Sequence, residues 1–454
     1  MNFDALFFIS CFLPLALALY YIVPGERGKN VLLLISGLAF YCFGSLQGLL
    51  ILLASSLVNF LLGLRIQSGK RAKLWLGIGI AANLGLLGLY KYLDFLVGSV
   101  LGLPQLQLGL AAPLGISFFT FKCVSYLVDA KRDGEQGTKR YFDFLLYVSF
   151  FPQIVAGPIT RFGDFRRQLT GRKLDTPAPG LRRFIVGLGK KALLSGGLGR
   201  IVDSVFALEA AHLDARLAWL GAIAYSLQIY FDFSGYSDMA IGLGGMFGFE
   251  TAENFNFPYI ASSITDFWRR WHISLSSWFR DYLYIPLGGN RRGRWRTALN
   301  KMIVFWLCGL WHGAAWTFLV WGAWHGLLSA LESLGWVKPK GVLGRIYTLL
   351  AVCLGFVMFR SGSLGQGFGM IGAMAAGFSV TTAGTAALFG MLTWENACLL
   401  VLGAALCLPW SRWIARRNWR WTAPLSYAAC TVLFALCLVK LASGGFTPFI
   451  YAQF

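Results

Sequence analysis

Apolar runs about as long as a membrane span recur along this chain from Phe3 to Val439, and short polar loops separate them. A hydrocarbon core about 30 Å thick is crossed by about 20 apolar residues in one helix. The pattern predicts an all-α polytopic membrane protein with about 10 to 12 transmembrane helices. The expected spans cover residues 3–23, 30–45, 48–64, 74–90, 113–129, 185–207, 215–233, 302–331, 343–359, 364–378, 386–408 and 422–439.

The density of polar residues predicts how this membrane domain is organised. Residues 1–130 form ordinary spans and are expected to be scaffold helices, and the polar loop 130–140 follows them. Residues 141–335 contain nearly all the unusual polar segments and are expected to be the catalytic core. Residues 343–454 return to apolar spans, so we expect one membrane domain over 1–454.

Composition and charge support this class and limit the partners. Hydrophobic residues make up 57% of the chain and charged residues 13%, whereas soluble proteins are about one quarter charged. The net charge is +20, but the basic residues cluster in short loops, as the positive-inside rule describes. Arg27 and Lys29 follow the first span and Arg65 follows the third, which predicts an N-terminus outside the cell and requires no nucleic-acid partner.

Two polar segments interrupt the apolar pattern before residue 200. The run from Tyr141 reaches Pro152 and Pro158, which favours a re-entrant or interfacial segment, although a plain helix ending at Pro158 remains an alternative. The basic stretch 161–191 is predicted to be a cytosolic interfacial segment that contacts anionic lipids. The same stretch could also attract an acyl-CoA or a phosphopantetheine carrier.

Two further segments place charges inside apolar surroundings. Asp232 and Asp238 lie in an aromatic run with Ser234, and we expect structural pairing of these carboxylates with arginines or hydroxyls. The segment 266–282, if helical, puts Arg269 and His272 on one face. It also pairs Asp266 with Arg270 at i, i+4, while three tryptophans anchor it: Trp268, Trp271 and Trp278. The basic turn 287–293 lacks the spacing of a phosphate-binding P-loop.

Histidine is the strongest candidate for chemistry, since His312 and His325 lie in the uncharged stretch 302–331, each in a Trp-His-Gly triplet. An ionisable group at membrane depth usually marks a reaction or transport path. A neutral imidazole is a suitable general base there. On one continuous helix their 13-residue separation is about 220°, which predicts opposite faces and a structural role for one of them. His212 is expected to be solvated.

Other chemistries find little support in the sequence. It has no GxSxG or HExxH motif, and the nine cysteines mostly occupy apolar runs without metal-ligand spacing. We therefore expect no metal and no permanently bound cofactor. Direct acyl transfer from a thioester to a hydroxyl remains, because it needs only a base, positioned donors and a shaped tunnel.

Four motifs in the same order carry a family resemblance that covers nearly the whole chain. They are Phe151–Pro158 (FPQIVAGP), Tyr230–Asp238 (YFDFSGYSD), Phe267–His272 (FWRRWH) and Gly309–Trp316 (GLWHGAAW). They closely resemble the membrane-bound O-acyltransferase family, and most nearly its branch of bacterial alginate O-acetyltransferases. The C-terminal segment 448–454 is also similar to that branch, with Ala452 where an aromatic residue is expected.

The resemblance implies a helical fold around a tunnel, with the acyl donor entering from the cytosol. It implies that His312 is the general base and His272, at a position often His or Asn, its catalytic companion, while His325 serves packing. The further residues implied to line or support the tunnel are Trp311, Trp316, Arg269, Asp232, Asp238 and Ser234.

The same resemblance implies a reaction and its partners. An acetyl group from acetyl-CoA or an acyl-carrier thioester would cross the bacterial inner membrane, and an exported polysaccharide such as alginate would be O-acetylated. An extracytoplasmic SGNH-hydrolase-like acetyltransferase, an acyl carrier protein and membrane lipids are the expected partners. D-alanyl transfer to teichoic acid is an alternative. A transporter is another, but no inverted repeat relates the two halves of the chain.

Overall fold

The computed structural model describes residues 3–134, 137–155, 157–172, 176–209, 212–410, 412–413, 422–444 and 450. Helices and turns form the secondary structure of these residues, which contain no strand. The predicted all-α class is therefore confirmed. Ala156 of the FPQIVAGP motif and, apart from Ile450, the C-terminal motif with Ala452 lie outside the described residues.

The α-helices of five or more residues follow one another along the described part of the chain. The first ten are α1 (Leu13–Ile22), α2 (Gly25–Cys42), α3 (Leu46–Gln67), α4 (Ala72–Leu87), α5 (Ile116–Arg132), α6 (Tyr141–Ser149), α7 (Phe162–Arg167), α8 (Ala178–Gly189), α9 (Gly196–Phe206) and α10 (Ala215–Met246). The others are α11 (Ile264–Trp268), α12 (Ile273–Phe279), α13 (Arg294–His312), α14 (Trp316–Leu334), α15 (Gly341–Arg360), α16 (Leu364–Ala376), α17 (Thr382–Met391), α18 (Trp394–Leu406) and α19 (Thr422–Ala442).

Fewer helices than expected are long and apolar enough to cross a membrane alone. Among the described residues they are α3, α4 with the helical turns that continue it to Val100, α15, and the part Pro424–Ala442 of α19. The pair α17 and α18, bent by 70°, could make a fifth. Several other predicted spans fold as shorter, broken or charge-bearing helices. For example, 215–233 is part of the 32-residue helix α10, which contains both aspartates of its motif.

The chain divides into two compact units. The first, here the N-terminal unit, contains Met1–Phe184 and Ser237–Glu253, and the second, the C-terminal unit, contains Ile185–Tyr236 and Asn254–Phe454. In the N-terminal unit, Asn59 and Asn83 exchange side-chain hydrogen bonds of 3.2 and 2.6 Å between α3 and α4. A buried polar pair of this kind satisfies both amides in an apolar setting.

The proline segment of the N-terminal unit is not a plain helix. Helix α6 ends at Ser149, before Pro152, and a short 3-10 turn, Phe151–Gln153, follows it. The described residues from Phe150 to Ile159 are buried. The alternative of one helix reaching Pro158 is therefore wrong, because the helix already ends at Ser149. The re-entrant or interfacial position of this segment in the membrane stays a prediction.

In the C-terminal unit, α13 and α14 form a tightly packed pair. The predicted single stretch 302–331 breaks after His312, and a new helix begins at Trp316. A Cβ placed on Gly309 would lie 2.3 Å from the carbonyl oxygen of Phe318, and one on Gly322 would lie 2.5 Å from that of Phe305. Glycine is needed at both positions because the two backbones approach so closely.

A second break corrects the expected helix over 266–282. Helix α11 ends at Trp268, and α12 begins at Ile273 after a turn that includes His272 in the left-handed region. Arg269 and His272 therefore do not share a helical face. The predicted pair at i, i+4 is present, with Arg270 Nε 3.0 Å from an Asp266 carboxylate oxygen.

Candidate active site

His272 occupies an unusual turn that Asn254 holds in place. Its φ is 44°, a left-handed conformation that is uncommon outside glycine but enriched for His, Asn and Asp. The backbone N–H of Ile273 donates to the Asn254 carbonyl across 2.9 Å. The Asn254 side-chain oxygen Oδ1 accepts from the Ser274 backbone N–H at 3.1 Å and from the Ser274 hydroxyl at 2.9 Å.

This network assigns the tautomer of His272. A backbone N–H can only donate, so the Asn254 atom facing Ser274 is the acceptor Oδ1 and not the amide nitrogen. His272 Nδ1 lies 3.3 Å from the same oxygen, and must therefore carry the proton. The neutral ring then presents a lone pair at Nε2. This atom is buried and has no hydrogen-bond partner among the described residues.

His312 ends α13 and is enclosed by aromatic rings. It is 3% exposed, and its ring centroid lies 5.0 Å from those of Trp311 and Trp321 and 5.3 Å from that of Phe359. The Trp311 ring also lies 6.3 Å from the His272 ring. One indole therefore contacts both histidines that the family resemblance selects, although they are forty residues apart in sequence.

His325 has a different environment, in the interior of α14. The Trp268 indole N–H donates to His325 Nδ1 across 3.4 Å, so this ring carries its proton on Nε2. Nε2 faces α15, where a Cβ placed on Gly355 would lie 2.8 Å from it. The Trp321 ring lies 5.0 Å from both His325 and His312. The expected separation on opposite helix faces is thus wrong, because the chain folds back between the two triplets.

Asp232 takes part in a buried ion pair, as its setting predicts, but with a lysine and not an arginine. Lys191 Nζ lies 2.9 Å from Asp232 Oδ1, and their side chains are 1% and 2% exposed. The second carboxylate oxygen accepts the backbone N–H of Ile450 at 2.9 Å. Close packing makes the pair possible, since a Cβ on Gly235 would lie 2.7 Å from the Gly187 carbonyl oxygen.

Asp238 belongs to the N-terminal unit and pairs with an arginine there. Arg183 Nη2 lies 2.9 Å from Asp238 Oδ1, and Glu253 binds both terminal nitrogens of the same guanidinium. Burial by itself would lower the pKa of Arg183, but Glu253 and Asp238 raise it above the ordinary arginine value. Arg183 and Lys191 were expected to contact lipid head groups with the rest of 161–191, yet both form ion pairs with aspartates.

The other predicted site residues differ in how far they are exposed to solvent. Trp311 and Ser234 are buried, and the Ser234 hydroxyl finds no hydrogen-bond partner among the described residues. Trp316 is 47% exposed at the first position of α14. Arg269 is exposed and directly follows the last residue of α11. His212 is exposed, as predicted.

Sequence reasoning missed three residues of this region: Asn254, Lys191 and Trp321. Asn254 gives no signal of its own, since its contact with His272 depends on a turn that helical periodicity does not predict. Lys191 was grouped with a basic surface stretch. Trp321 could have been noticed as part of the second tryptophan-histidine motif, but only the helix break brings it against His312.

Comparison with known proteins identifies the family of this chain. A family model described as the membrane-bound O-acyltransferase family matches residues 106–335, just over half of the chain. The chain therefore belongs to the membrane-bound O-acyltransferase family, and it is a membrane enzyme of acyl transfer.

Three relatives refine this assignment. The chain is similar to the probable alginate O-acetylase AlgI of Pseudomonas putida, with 38% identity over 100% of both chains. It is 44% identical to the AlgI of Pseudomonas aeruginosa over 82% of this chain and 75% of the relative. The peptidoglycan O-acetyltransferase of Helicobacter pylori is 35% identical over 80% and 77%. A teichoic acid D-alanyltransferase from Bacillus subtilis is more distant, at 31% identity over 54% of this chain.

Proposed function

We propose that this protein takes an acetyl group from a cytosolic thioester and passes it across the membrane for O-acetylation of an exported polysaccharide, with alginate as the first choice. The AlgI relatives support the substrate class. The site observation that carries the proposal is the fixed tautomer of His272, which leaves a buried acceptor nitrogen beside the tryptophan that also contacts His312.

In the proposed reaction, His312 is the general base. It removes the proton of an acceptor hydroxyl while the oxygen attacks the thioester carbonyl, so an ester bond forms and the carbon–sulfur bond breaks. The protonated imidazole then returns the proton to the departing thiolate. His272 would accept a hydrogen bond at Nε2 and orient the hydroxyl. Trp311 and Trp321 exclude water, which would otherwise hydrolyse the thioester.

The cellular arrangement completes the proposal. We infer a single domain in the bacterial inner membrane with its N-terminus outside, as the charge distribution predicts. Acetyl-CoA or an acyl-carrier thioester is the donor, and an SGNH-hydrolase-like acetyltransferase outside is the expected recipient of the acetyl group. His325 serves packing, because its Nδ1 lone pair already accepts the Trp268 N–H.

The test compares His312→Ala and His272→Ala with His212→Ala, an exchange of the same type at an exposed histidine. Each variant is measured in membranes for transfer of labelled acetyl from the thioester and in cells for polymer O-acetylation. We expect the rate of acetyl transfer to fall at least about 100-fold in both buried-site variants, which is the lower end of what a general base contributes. The rate of His212→Ala should match that of the wild type. Full transfer by folded His312→Ala would disprove its role as the base.

The acceptor is tested separately, because relatives modify different polymers. Cells that express the protein are analysed for acetyl on alginate, acetyl on peptidoglycan and D-alanine on teichoic acid. Acetyl on alginate supports the proposal. Acetyl on peptidoglycan alone would move the assignment to the polymer of the Helicobacter pylori relative, and D-alanine transfer would contradict acetyl as the group transferred.

A further inference from the structure

A wide cleft in the N-terminal unit lies where several helices begin or end. Its lining comes mainly from the first two turns of α2, the last residue of α3, the segment 137–143 and the residues around the end of α7, and its volume is about 1280 Å³. Such a cleft is larger than the roughly 300–1,000 Å³ of most small-molecule pockets. We call it the Arg27 cleft. Its lining residues all belong to the N-terminal unit, whereas the three buried histidines belong to the C-terminal unit.

Basic side chains outnumber acidic ones in the lining of the Arg27 cleft. Four are basic and two are acidic: Arg27, Lys139, Arg140 and Arg166, against Glu26 and Asp143. Arg27 and Lys139 are exposed, and their side chains form no hydrogen bond or ion pair with any residue that the structure describes. Arg166 Nη1 donates to a neutral atom, the Gly137 carbonyl oxygen, at 2.7 Å. Because Glu26 already accepts two backbone N–H groups, the cleft keeps an excess of positive charge and favours an anion.

Asn30 contributes a buried hydrogen-bond acceptor to the cleft. Its side chain is buried, and its Nδ2 donates to the Leu169 carbonyl oxygen at 2.9 Å. Since a carbonyl oxygen can only accept, the atom that faces Leu169 is the amide nitrogen, and the other atom of the amide is Oδ1. This oxygen has no hydrogen-bond partner among the described residues. A ligand hydroxyl that donates to Oδ1 would satisfy it, whereas an anion without a donor would not.

An exposed apolar stripe on α2 begins at the cleft and runs away from it. Val31 lines the cleft, and Ile35 follows one turn further along the helix; both side chains are exposed. Arg27, Val31 and Ile35 are spaced by four residues, so their side chains lie on one face of the helix. A positive charge and an apolar stripe therefore follow one another along α2, as the headgroup and acyl chain of a phospholipid do. A soluble phosphate compound would use only the positive charge.

We propose that the Arg27 cleft is a binding site for an anionic glycerophospholipid, with phosphatidylglycerol as its occupant. Arg27 and Arg140 bind the phosphate. A hydroxyl of the headgroup glycerol donates to Asn30 Oδ1, and an acyl chain lies along Val31. The positive-inside rule puts this lipid in the cytosolic leaflet, where basic pockets at helix ends bind anionic headgroups. The proposal does not depend on acetyl transfer, and it gives a defined site to the lipid contact that the sequence analysis expected only of the basic stretch 161–191.

The test measures how tightly the purified full-length protein in detergent binds phosphatidylglycerol, phosphatidic acid and phosphatidylcholine, with bound lipids counted by native mass spectrometry. The variants are Arg27→Gln and Arg140→Gln. The matched control is Arg65→Gln, because Arg65 is an exposed arginine in the last turn of α3 and does not line the cleft. Thermal unfolding of each variant confirms that it is folded.

We expect Arg27→Gln and Arg140→Gln each to raise the Kd for phosphatidylglycerol about tenfold, since charge-assisted hydrogen bonds to phosphate are strong. Arg65→Gln should leave it unchanged. Phosphatidic acid, which lacks the glycerol hydroxyls, and phosphatidylcholine, which carries no net charge, should bind the wild type more weakly. Binding of either lipid as tight as that of phosphatidylglycerol, or a loss of affinity in Arg65→Gln as large as in the other two variants, would overturn the proposal.

A soluble headgroup distinguishes a lipid site from a site for a free phosphate ester. Glycerol 3-phosphate should not displace phosphatidylglycerol at equal concentration, because it lacks the acyl chains. Val31→Asn should weaken the binding of phosphatidylglycerol about fivefold, since the partial burial of a valine against the acyl chain is lost. The control is Val58→Asn on α3, because Val58 is 47% exposed, close to the 44% of Val31, and lies outside the cleft lining. Displacement by glycerol 3-phosphate, or equal lipid affinity in the two valine variants, would refute the lipid assignment.

Discussion

Replacing Gly309 by alanine tests whether the close packing of α13 against α14 positions His312. The added Cβ would lie 2.3 Å from the Phe318 carbonyl oxygen, whereas ordinary contacts begin at 3.4 Å. The clash of 1.1 Å involves backbone on both helices, so no side-chain rotation relieves it. The helices must therefore move apart by about 1 Å, three residues before the candidate base.

Two effects of Gly309→Ala have opposite signs. Alanine favours a helix over glycine by about 1 kcal/mol, while overpacking costs about 1–3 kcal/mol or more. We expect the free energy of unfolding to fall by about 1–2 kcal/mol. The larger effect should be on turnover, since a displacement of about 1 Å at a reacting group can reduce the rate about 100-fold.

The assay compares the melting temperature in detergent with acetyl transfer from the thioester. Gly77→Ala is the control, since a Cβ at this position on helix α4 meets no atom within 4 Å. It should leave transfer unchanged and keep or slightly raise the melting temperature. Equal melting temperatures and equal turnover for the two variants would show that the close contact has no role in holding His312.

Three further predictions concern the buried polar groups. Asn254→Ala should lower turnover by roughly 10- to 100-fold, because the His272 Nδ1–H loses its acceptor. Asn254→Asp keeps that acceptor and should restore most of the rate, so equal loss in both variants would contradict the tautomer role. Lys191→Met alone or Asp232→Leu alone should destabilise the fold by about 3–5 kcal/mol, and the double variant by less than either. A double-variant loss equal to the sum of the two would exclude their coupling. His325→Gln should retain acetyl transfer with a lowered melting temperature, and a loss of turnover as large as that of His312→Ala would reject its packing role.

The membrane class, the helical fold and the family could be predicted from the sequence, since apolar run length and four ordered motifs carry that information. Asp232 illustrates where prediction stopped. Its need for a partner follows from the cost of a buried charge, but the choice of Lys191 depends on the contact between Gly235 and Gly187. No local pattern encodes such a long-range approach.

The histidines show the same limit more clearly. Periodicity treated 302–331 as one helix and placed His312 and His325 on opposite faces. A turn after Gly313 folds the chain back, so both rings contact Trp321. Apolar composition cannot distinguish one long span from two helices joined by a short break, because both bury the same residues.

The left-handed backbone at position 272 restricts which amino acids this site can use over evolutionary time. A φ of 44° costs most side chains about 1–2 kcal/mol, and beyond glycine it is best tolerated by asparagine, aspartate and histidine. Glycine would relax the turn but supply no side chain. The turn therefore limits substitution to residues that can still donate or accept a hydrogen bond, and any variant selected for stability alone should drift towards glycine and lose activity.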